Sequence, residues 1–126
     1  MKNVLNSENA PKALGPYSQG ITVGSLIFLS GQMGLDPSTN DFVTGGVTGQ
    51  TRQALTNLKY IIESAGSTIE NVVKTTVFLN DINDFQAMNS VYGDFFKSEP
   101  PARSTVQVAA LPKGGLVEIE AIVAIE

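Results

Sequence analysis

The alternation of apolar and polar residues along this chain predicts most of its β-strands. Between residues 104 and 110 the even-numbered positions are mostly apolar, whereas the odd-numbered positions share the parity of Arg103. This alternation is the period of two that a pleated strand imposes. Residues 117–125 alternate as far as Glu120 and are apolar on both rows afterwards, which indicates a strand covered on both faces. Further strands are predicted at residues 3–6, 21–23, 26–29 and 72–79, the last with Val73, Thr75, Val77 and Leu79 on one face.

Glycine, proline and small polar residues predict how these strands are connected. The Gly-Ser pair at 24–25 favours a type II′ β-hairpin, which would place Ser30, Gly31 and Gln32 at the end of its second strand. The run LPKGG at 111–115 separates the last two strands, because proline cannot donate to a ladder and glycine admits φ > 0.

Two segments have the period of an amphipathic helix. In residues 48–65 the apolar positions are spaced by one, three and four, which forms one stripe that Gly66 would close just after the C-cap. A second helix is predicted after Asp81, a favourable N-cap, and it would end at Glu99-Pro100-Pro101. Its buried stripe would consist of Phe85, Met88, Val91, Tyr92 and Phe95.

The predicted element order is β, ββ, α, β, α, β, β, in a single domain over residues 1–126. We therefore predict the α+β class, with about six strands in a mixed sheet and two helices packed on one of its faces. The opposite face would need a partner. Strands 72–79, 104–110 and 117–125, which are apolar on both rows, indicate burial against other subunits.

Composition narrows the chemistry that the chain can carry out. It has no cysteine and no histidine, which excludes thiolate nucleophiles, Ser-His pairs and the usual zinc and iron ligand sets. Catalysis would then rest on carboxylates, lysine, tyrosine, hydroxyls, arginine and backbone groups, and no metal or organic cofactor is predicted.

Charge and hydropathy narrow the range of partners. The net charge is −4 and the lysines are scattered, which argues against a nucleic-acid surface because such surfaces cluster basic residues along phosphates. No stretch approaches the ~18 uninterrupted apolar residues that span a bilayer, and the first residues lack the apolar centre of a secretory signal. The prediction is a cytoplasmic protein with no membrane partner.

Arg103 is one of only two arginines, and it begins a strand that is otherwise expected to be buried. Glu118 and Glu120 lie near the start of the next strand, so the arginine is predicted to face them. On the pattern alone, a structural ion pair with either glutamate and a ligand-binding site explain Arg103 equally well.

Five segments carry a resemblance to a known family. They are ARSTVQVAALP followed by VEIEAIVA near the end of the chain, LGPYSQG at 14–20, LSGQ at 29–32, VVKTTVFLND at 72–81 and FQAMNSVYGDFF at 85–96. Together they span nearly the whole chain and resemble the Rid family, the YjgF-like reactive-intermediate deaminases.

This resemblance implies a chorismate-mutase-like fold and a homotrimer with a site at each subunit boundary. In Rid-like proteins the arginine matching Arg103 binds a substrate carboxylate, for which its planar fork is suited, and the glutamate matching Glu118 orients water. The backbone at the position of Thr105 contacts substrate and water. Many relatives carry cysteine there, and threonine can fill a backbone role. The resemblance also implies a pocket lined by Tyr17, Ser30, Gly31 and Asn89.

The function implied is imine or enamine deamination, in which 2-iminopropanoate and 2-iminobutanoate from pyridoxal-phosphate dehydratases become 2-keto acids and ammonia. Such a C=N carbon is already electrophilic, so the protein needs to hold the carboxylate, place water and move protons. Two alternatives stay open. One is a non-catalytic regulatory trimer that binds carboxylate metabolites, and the other is an RNA-acting translation inhibitor or ribonuclease, which the acidic charge disfavours.

Overall fold

The structure is a computed structural model that describes residues 1–125. Within these residues six strands form one sheet of order β1-β2-β3-β6-β4-β5, in which only the β4–β5 pair is parallel. The strands are β1 (Asn3–Leu5), β2 (Gly20–Val23), β3 (Leu26–Met33), β4 (Val72–Leu79), β5 (Ala102–Gln107) and β6 (Val117–Ala124), and the helices are α1 (Gly46–Ser64) and α2 (Phe85–Phe95). The predicted α+β class with a mixed six-stranded sheet is confirmed.

Helix α1 forms the centre of the core because its apolar stripe is continuous over its middle turns. Ala54, Leu55, Leu58, Ile61 and Ile62 are at most 1% exposed, and they pack against the sheet. The chain leaves the helix through Gly66, whose φ of 82° is the left-handed conformation that the sequence predicted after the C-cap.

The two faces of the sheet differ in burial. The face toward the helices contains Ile27, Leu29, Val77, Leu79, Val117, Ile119 and Val123, each at most 5% exposed. On the opposite face, which we call the open face, Phe28 and Val106 are 42% and 44% exposed. Within one chain β6 is therefore buried on the helix face only. Burial of its other face against a second subunit stays a prediction. Within residues 1–125 neither helix is long and apolar enough to cross a membrane.

Two interruptions of strand register correct the sequence-based picture. The β3–β6 register shifts between Leu29 and Gln32, so Ser30 and Gly31 lie at a bulge inside β3 and not at its end. The β4–β6 register shifts between Val72 and Lys74. Val72 is buried as a result and Val73 is 47% exposed, so the prediction that Val73 shares a face with Thr75 is wrong.

Three element ends also differ from the prediction. Strand β5 stops at Gln107 and not at residue 110, because its partner β4 ends at Leu79, where Val108 N–H makes a last bond to the Leu79 carbonyl at 2.9 Å. Asp81 caps a short 3₁₀ turn, Ile82–Asp84, that leads into α2, by accepting from the Asn83 N–H at 2.9 Å. Helix α2 ends at Phe95, four residues before the predicted Glu99.

The hairpin between β2 and β3 is confirmed. Val23 pairs with Leu26 across a two-residue turn, and Gly24 has a φ of 56° while Ser25 has no positive φ. A positive φ at the first turn position alone is the pattern of a type II′ turn. This hairpin brings the Ser30–Gly31 bulge beside β6.

Candidate active site

A cavity of about 480 Å³ lies where the bulge of β3, the start of β6 and two loops meet. We call it the Glu118 cavity. Four of the predicted site residues line it: Tyr17, Ser30, Gly31 and Glu118. The other lining residues are Pro11, Lys12, Leu14, Gln32, Met33, Leu35, Asn40, Pro112 and Lys113.

Gly31 is required here because the side chain of Glu118 occupies the space where a β-carbon would lie. A β-carbon built on Gly31 would come 2.8 Å from Cδ of Glu118 and 2.9 Å from its Cγ, closer than side chains approach one another. The bulge in β3 therefore gives the Glu118 carboxylate its position against bare backbone.

The loop that carries Tyr17 is fixed by hydrogen bonds from buried polar side chains. The amide of Gln19, a residue only 2% exposed, donates to the carbonyls of Ser7 at 3.1 Å and Pro11 at 2.7 Å and accepts from Ser7 N–H at 2.6 Å. Ser30 Oγ donates to the Ser18 carbonyl at 2.5 Å. Ser30 therefore anchors this wall of the cavity, a role that the sequence did not indicate.

The carboxyl group of Glu118 has a pKa that differs from that of a solvated glutamate. Burial raises its pKa above the ordinary value of 4.5, and the negative charge of Glu120 on the same face raises it further. A carboxylate whose pKa is raised is a stronger base than a solvated one, and a general base benefits from that change.

Arg103 lies in a second cavity of about 390 Å³, lined by Asn89, Tyr92, Gly93, Phe96, Pro100, Pro101 and Arg103, which we call the Arg103 cavity. Its Nη1 donates to Asn89 Oδ1 at 2.7 Å, and its guanidinium carbon lies 4.6 Å from the centre of the Tyr92 ring. Asn89, which was predicted to line the pocket, therefore contacts Arg103 directly.

Arg103 does not face the two glutamates as the sequence predicted. It pairs with Thr75 on β4, whereas Glu118 pairs with Phe78 on the same strand. Thr75 and Phe78 are an odd number of positions apart on a continuous stretch of strand, so the two pairs point to opposite faces. Arg103 is on the helix face, Glu118 and Glu120 are on the open face, and the predicted alternative of an ion pair within one chain is wrong.

Thr105 has its side chain on the helix face, in register with Val77. Its Oγ1 is buried and has no hydrogen-bond partner among residues 1–125. The hydroxyl therefore lines neither cavity. Strand β5 is the edge of the sheet, and an edge strand leaves backbone groups free for a ligand.

Lys113 and Asn40 are residues of the Glu118 cavity that sequence reasoning missed. Lys113 Nζ donates to the Asn40 carbonyl at 3.2 Å, and both residues have left-handed backbones, with φ of 58° and 62°. Non-glycine residues in this conformation are uncommon and often lie at functional sites. The only sequence signal was the turn-forming run around each residue, and that run does not reveal that the two loops touch. No group of three Asp, Glu, His or Cys side chains within residues 1–125 is arranged to hold a metal ion.

Comparisons with known proteins agree on one family. The profile described as Endoribonuclease L-PSP matches residues 7–125. The 2-iminobutanoate/2-iminopropanoate deaminase of Capra hircus is 52% identical over 122 residues, which cover 97% of this chain and 89% of the relative. The crystal structure of the E. coli YjgF gene product superposes with a TM-score of 0.94 at 44% identity, covering 98% of this chain and 99% of that one. E. coli TdcF, whose structure contains bound serine, gives a TM-score of 0.91 at 42% identity and covers 97% and 98%.

Proposed function

This chain belongs to the endoribonuclease L-PSP family, which includes the Rid or YjgF-like proteins, and on that premise we propose that it is a 2-iminobutanoate/2-iminopropanoate deaminase. The substrates would be short 2-imino acids and their enamine tautomers, formed by pyridoxal-phosphate dehydratases, and the products would be 2-keto acids and ammonia. A relative named for this activity, similar over nearly the whole chain, supports the proposal.

The observation that carries the proposal is the division of the site into two halves. The Arg103 cavity holds a cation with a planar donor fork, and the Glu118 cavity holds a partly buried carboxylate with a raised pKa. One half suits a carboxylate and the other suits a water molecule. Neither half alone carries out the reaction, and the sheet separates them within one chain.

We therefore propose that the site forms between two copies of the chain, in a homotrimer. The open face supplies the reason for assembly, because Phe28, Val73 and Val106 are each more than 40% exposed in a single chain. Contact between copies would cover these side chains and could bring Arg103 of one copy against the Glu118 cavity of the next. The relative seen with bound serine has a ligand of the same class, a small molecule with an α-carboxylate.

The chemistry that this arrangement supports is hydrolysis of a C=N bond. Arg103 and the backbone at Thr105 hold the substrate carboxylate, which fixes the imine carbon in front of a water held by Glu118. Water adds to that carbon as Glu118 takes its proton, and the C=N bond becomes a C–N single bond. Glu118 passes that proton to nitrogen, which gives the neutral carbinolamine. It then takes the hydroxyl proton and delivers it to nitrogen as the C–N bond breaks, so that ammonia leaves and the oxygen forms the carbonyl of the 2-keto acid.

The direct test is to generate the imine in place with a pyridoxal-phosphate dehydratase and to add catalytic amounts of this protein. Faster release of pyruvate or 2-oxobutanoate, above the rate of hydrolysis in water alone, is the expected result. Release at the uncatalysed rate over a range of protein concentrations would refute the deaminase and favour the regulatory trimer, provided that the 2-keto acids still bind.

The family description also names an endoribonuclease, so RNA cleavage is the alternative activity to be tested. The net charge of −4 and the absence of histidine disfavour it. Incubating the same preparation with single-stranded RNA at physiological salt should leave the RNA intact. Cleavage that Glu118→Gln abolishes would assign the Glu118 cavity to RNA and not to imines.

A further inference from the structure

The guanidinium of Arg103 rests on a platform formed by one face of α2. Its central carbon lies 4.6 Å from the centre of the Tyr92 ring and 5.5 Å from that of Phe85, and its Nη1 donates to Asn89 Oδ1 at 2.7 Å. The three α2 residues are separated by four and three positions, the spacing that places side chains on one face of a helix. Stacking and the hydrogen bond together restrict a long side chain that is only half-buried.

Tyr92 is itself fixed by the sheet. Its hydroxyl shares a hydrogen bond of 2.6 Å with Thr75 Oγ1, and the two residues are 5% and 1% exposed. Thr75 is also the residue that pairs with Arg103 between β4 and β5. On the helix side the ring of Phe96 packs against Tyr92 with 4.6 Å between centroids. The strand pair that carries the arginine therefore also fixes the ring beneath it.

We infer that Tyr92 is a positioning residue of the deaminase site, which with Thr75 holds the Arg103 guanidinium ready to grip the substrate carboxylate. This inference rests on the proposed function. Among residues 1–125 the guanidinium donates to Asn89 through Nη1, which leaves its other N–H donors for a ligand. A guanidinium stacked on an aromatic ring keeps its charge, and the N–H groups along its edge stay free. The ring therefore fixes the orientation of the guanidinium without competing for the carboxylate.

A buried tyrosine could also serve stability alone, and the two roles predict different results. If Tyr92 acts through Arg103, Tyr92→Leu should raise KM for the imine and weaken the binding of pyruvate by roughly 2- to 30-fold, the range of a cation–π contact. kcat should fall less than KM rises. Tyr92→Phe keeps the ring and loses the hydrogen bond to Thr75, so it should weaken pyruvate binding less than Tyr92→Leu does, by about 2- to 10-fold.

The matched control is Val91→Ala, which shortens another buried α2 side chain next in sequence. It should lower the melting temperature and leave KM and pyruvate affinity unchanged. A double variant provides a second check: in an Arg103→Lys background, Tyr92→Leu should weaken binding much less than in wild type, because the two residues act as a unit.

A folded Tyr92→Leu variant that binds pyruvate as tightly as wild type overturns the inference. Should that variant fail to fold, Thr75→Val keeps the ring and removes only its anchor. It is expected to weaken pyruvate binding by about 2- to 10-fold, the effect of one hydrogen bond, and unchanged affinity would overturn the inference as well. A wild-type protein that neither turns over imines nor binds 2-keto acids refutes the proposed function itself. Activity in wild type with an unaffected Tyr92→Leu variant refutes only the role of Tyr92.

Discussion

Arg103 and Glu118 lie on opposite faces of one sheet, at positions of β5 and β6 that pair with Thr75 and Phe78 of the strand between them. A rigid sheet does not let these two side chains meet around the same ligand. If both act on one substrate, each must come from a different copy of the chain. Variants of Arg103 and Glu118 can therefore test whether the site forms between two copies of the chain.

Mixed oligomers of Arg103→Ala and Glu118→Gln should recover activity that neither variant has alone. In a ring of three with head-to-tail contacts, about one boundary in three of every mixed trimer has both an intact arginine and an intact glutamate. Coexpression with two affinity tags, followed by isolation of particles that carry both tags, gives the sample to assay. Light scattering should report the mass of a trimer.

Two results would contradict this prediction. Mixed particles as inactive as the parent variants would mean that each site lies within one chain. A monodisperse active monomer would mean that the exposed open face needs no second copy.

Arg103→Lys keeps the charge and loses the fork, so it should weaken the binding of pyruvate or 2-oxobutanoate by about 10- to 100-fold, the range for a charge-assisted hydrogen bond. Calorimetric titration measures it, and Arg103→Ala should be weaker still. Arg52→Lys is the matched control, because the ion pair of Arg52 with Asp94 at 3.7 Å is exposed to solvent. Equal ketoacid affinities with a lower melting temperature in Arg103→Lys would assign Arg103 to stability and remove the proposed carboxylate site.

The pH dependence of turnover should follow Glu118. Burial and the charge of Glu120 raise its pKa above 4.5, and the proposed mechanism uses the ionised form of Glu118. Activity should therefore be lost as pH falls through a pKa above that of an ordinary glutamate. Glu120→Gln removes the repulsion, lowers the pKa of Glu118 and should move the acid limb of kcat/KM to lower pH.

Glu63→Gln is the control for this shift, because it removes the same charge from an exposed position on α1 and should leave the acid limb in place. Glu118→Gln should abolish most turnover while pyruvate still binds. An acid limb that does not move in Glu120→Gln, or full turnover in Glu118→Gln, would place the base elsewhere.

Gly31→Ala tests the contact between the β3 bulge and Glu118. The added methyl group would come within 3 Å of the Glu118 side chain, which is flexible and can turn away. We expect a folded protein with a melting temperature near that of wild type and strongly reduced kcat, because the carboxylate has left its place. Wild-type kcat would show that catalysis tolerates a displaced Glu118 and does not depend on this geometry.

Local sequence patterns predicted much of this fold. The features that they did not predict depend on how strands distant in sequence pair with one another. The stripe of α1, the turn at Gly24 and the start of β6 are encoded within a few neighbouring residues, and the structure has them where predicted. The exposure of Val73 depends on a register shift against β6, a strand about fifty residues further along the chain.

The candidate site shows the same limit. Resemblance named Arg103, Glu118 and their neighbours, but their division between two faces is decided by which strands pair and in which register. A period of two gives the parity within one strand and says nothing about the parity of one strand relative to another. The contact of Lys113 with Asn40 likewise joins loops 73 residues apart, beyond the reach of any local signal.

Thr105→Val should stabilise the protein without harming catalysis. Oγ1 of Thr105 is buried without a hydrogen-bond partner among residues 1–125, and a buried unpaired hydroxyl costs about 1 kcal/mol or more. Valine has nearly the same shape and no polar atom, so removing that cost should raise the melting temperature by roughly 3 to 6 °C. Turnover should stay close to wild type because the proposed role at this position belongs to the backbone, and Thr105→Cys should behave in the same way.

Thr105→Ser is the control: it keeps the hydroxyl and loses the methyl group, so it should melt below wild type. Turnover reduced by orders of magnitude in both Thr105→Val and Thr105→Cys, in protein that melts normally, would show that the hydroxyl takes part in the reaction and that the buried position of Oγ1 changes when substrate binds.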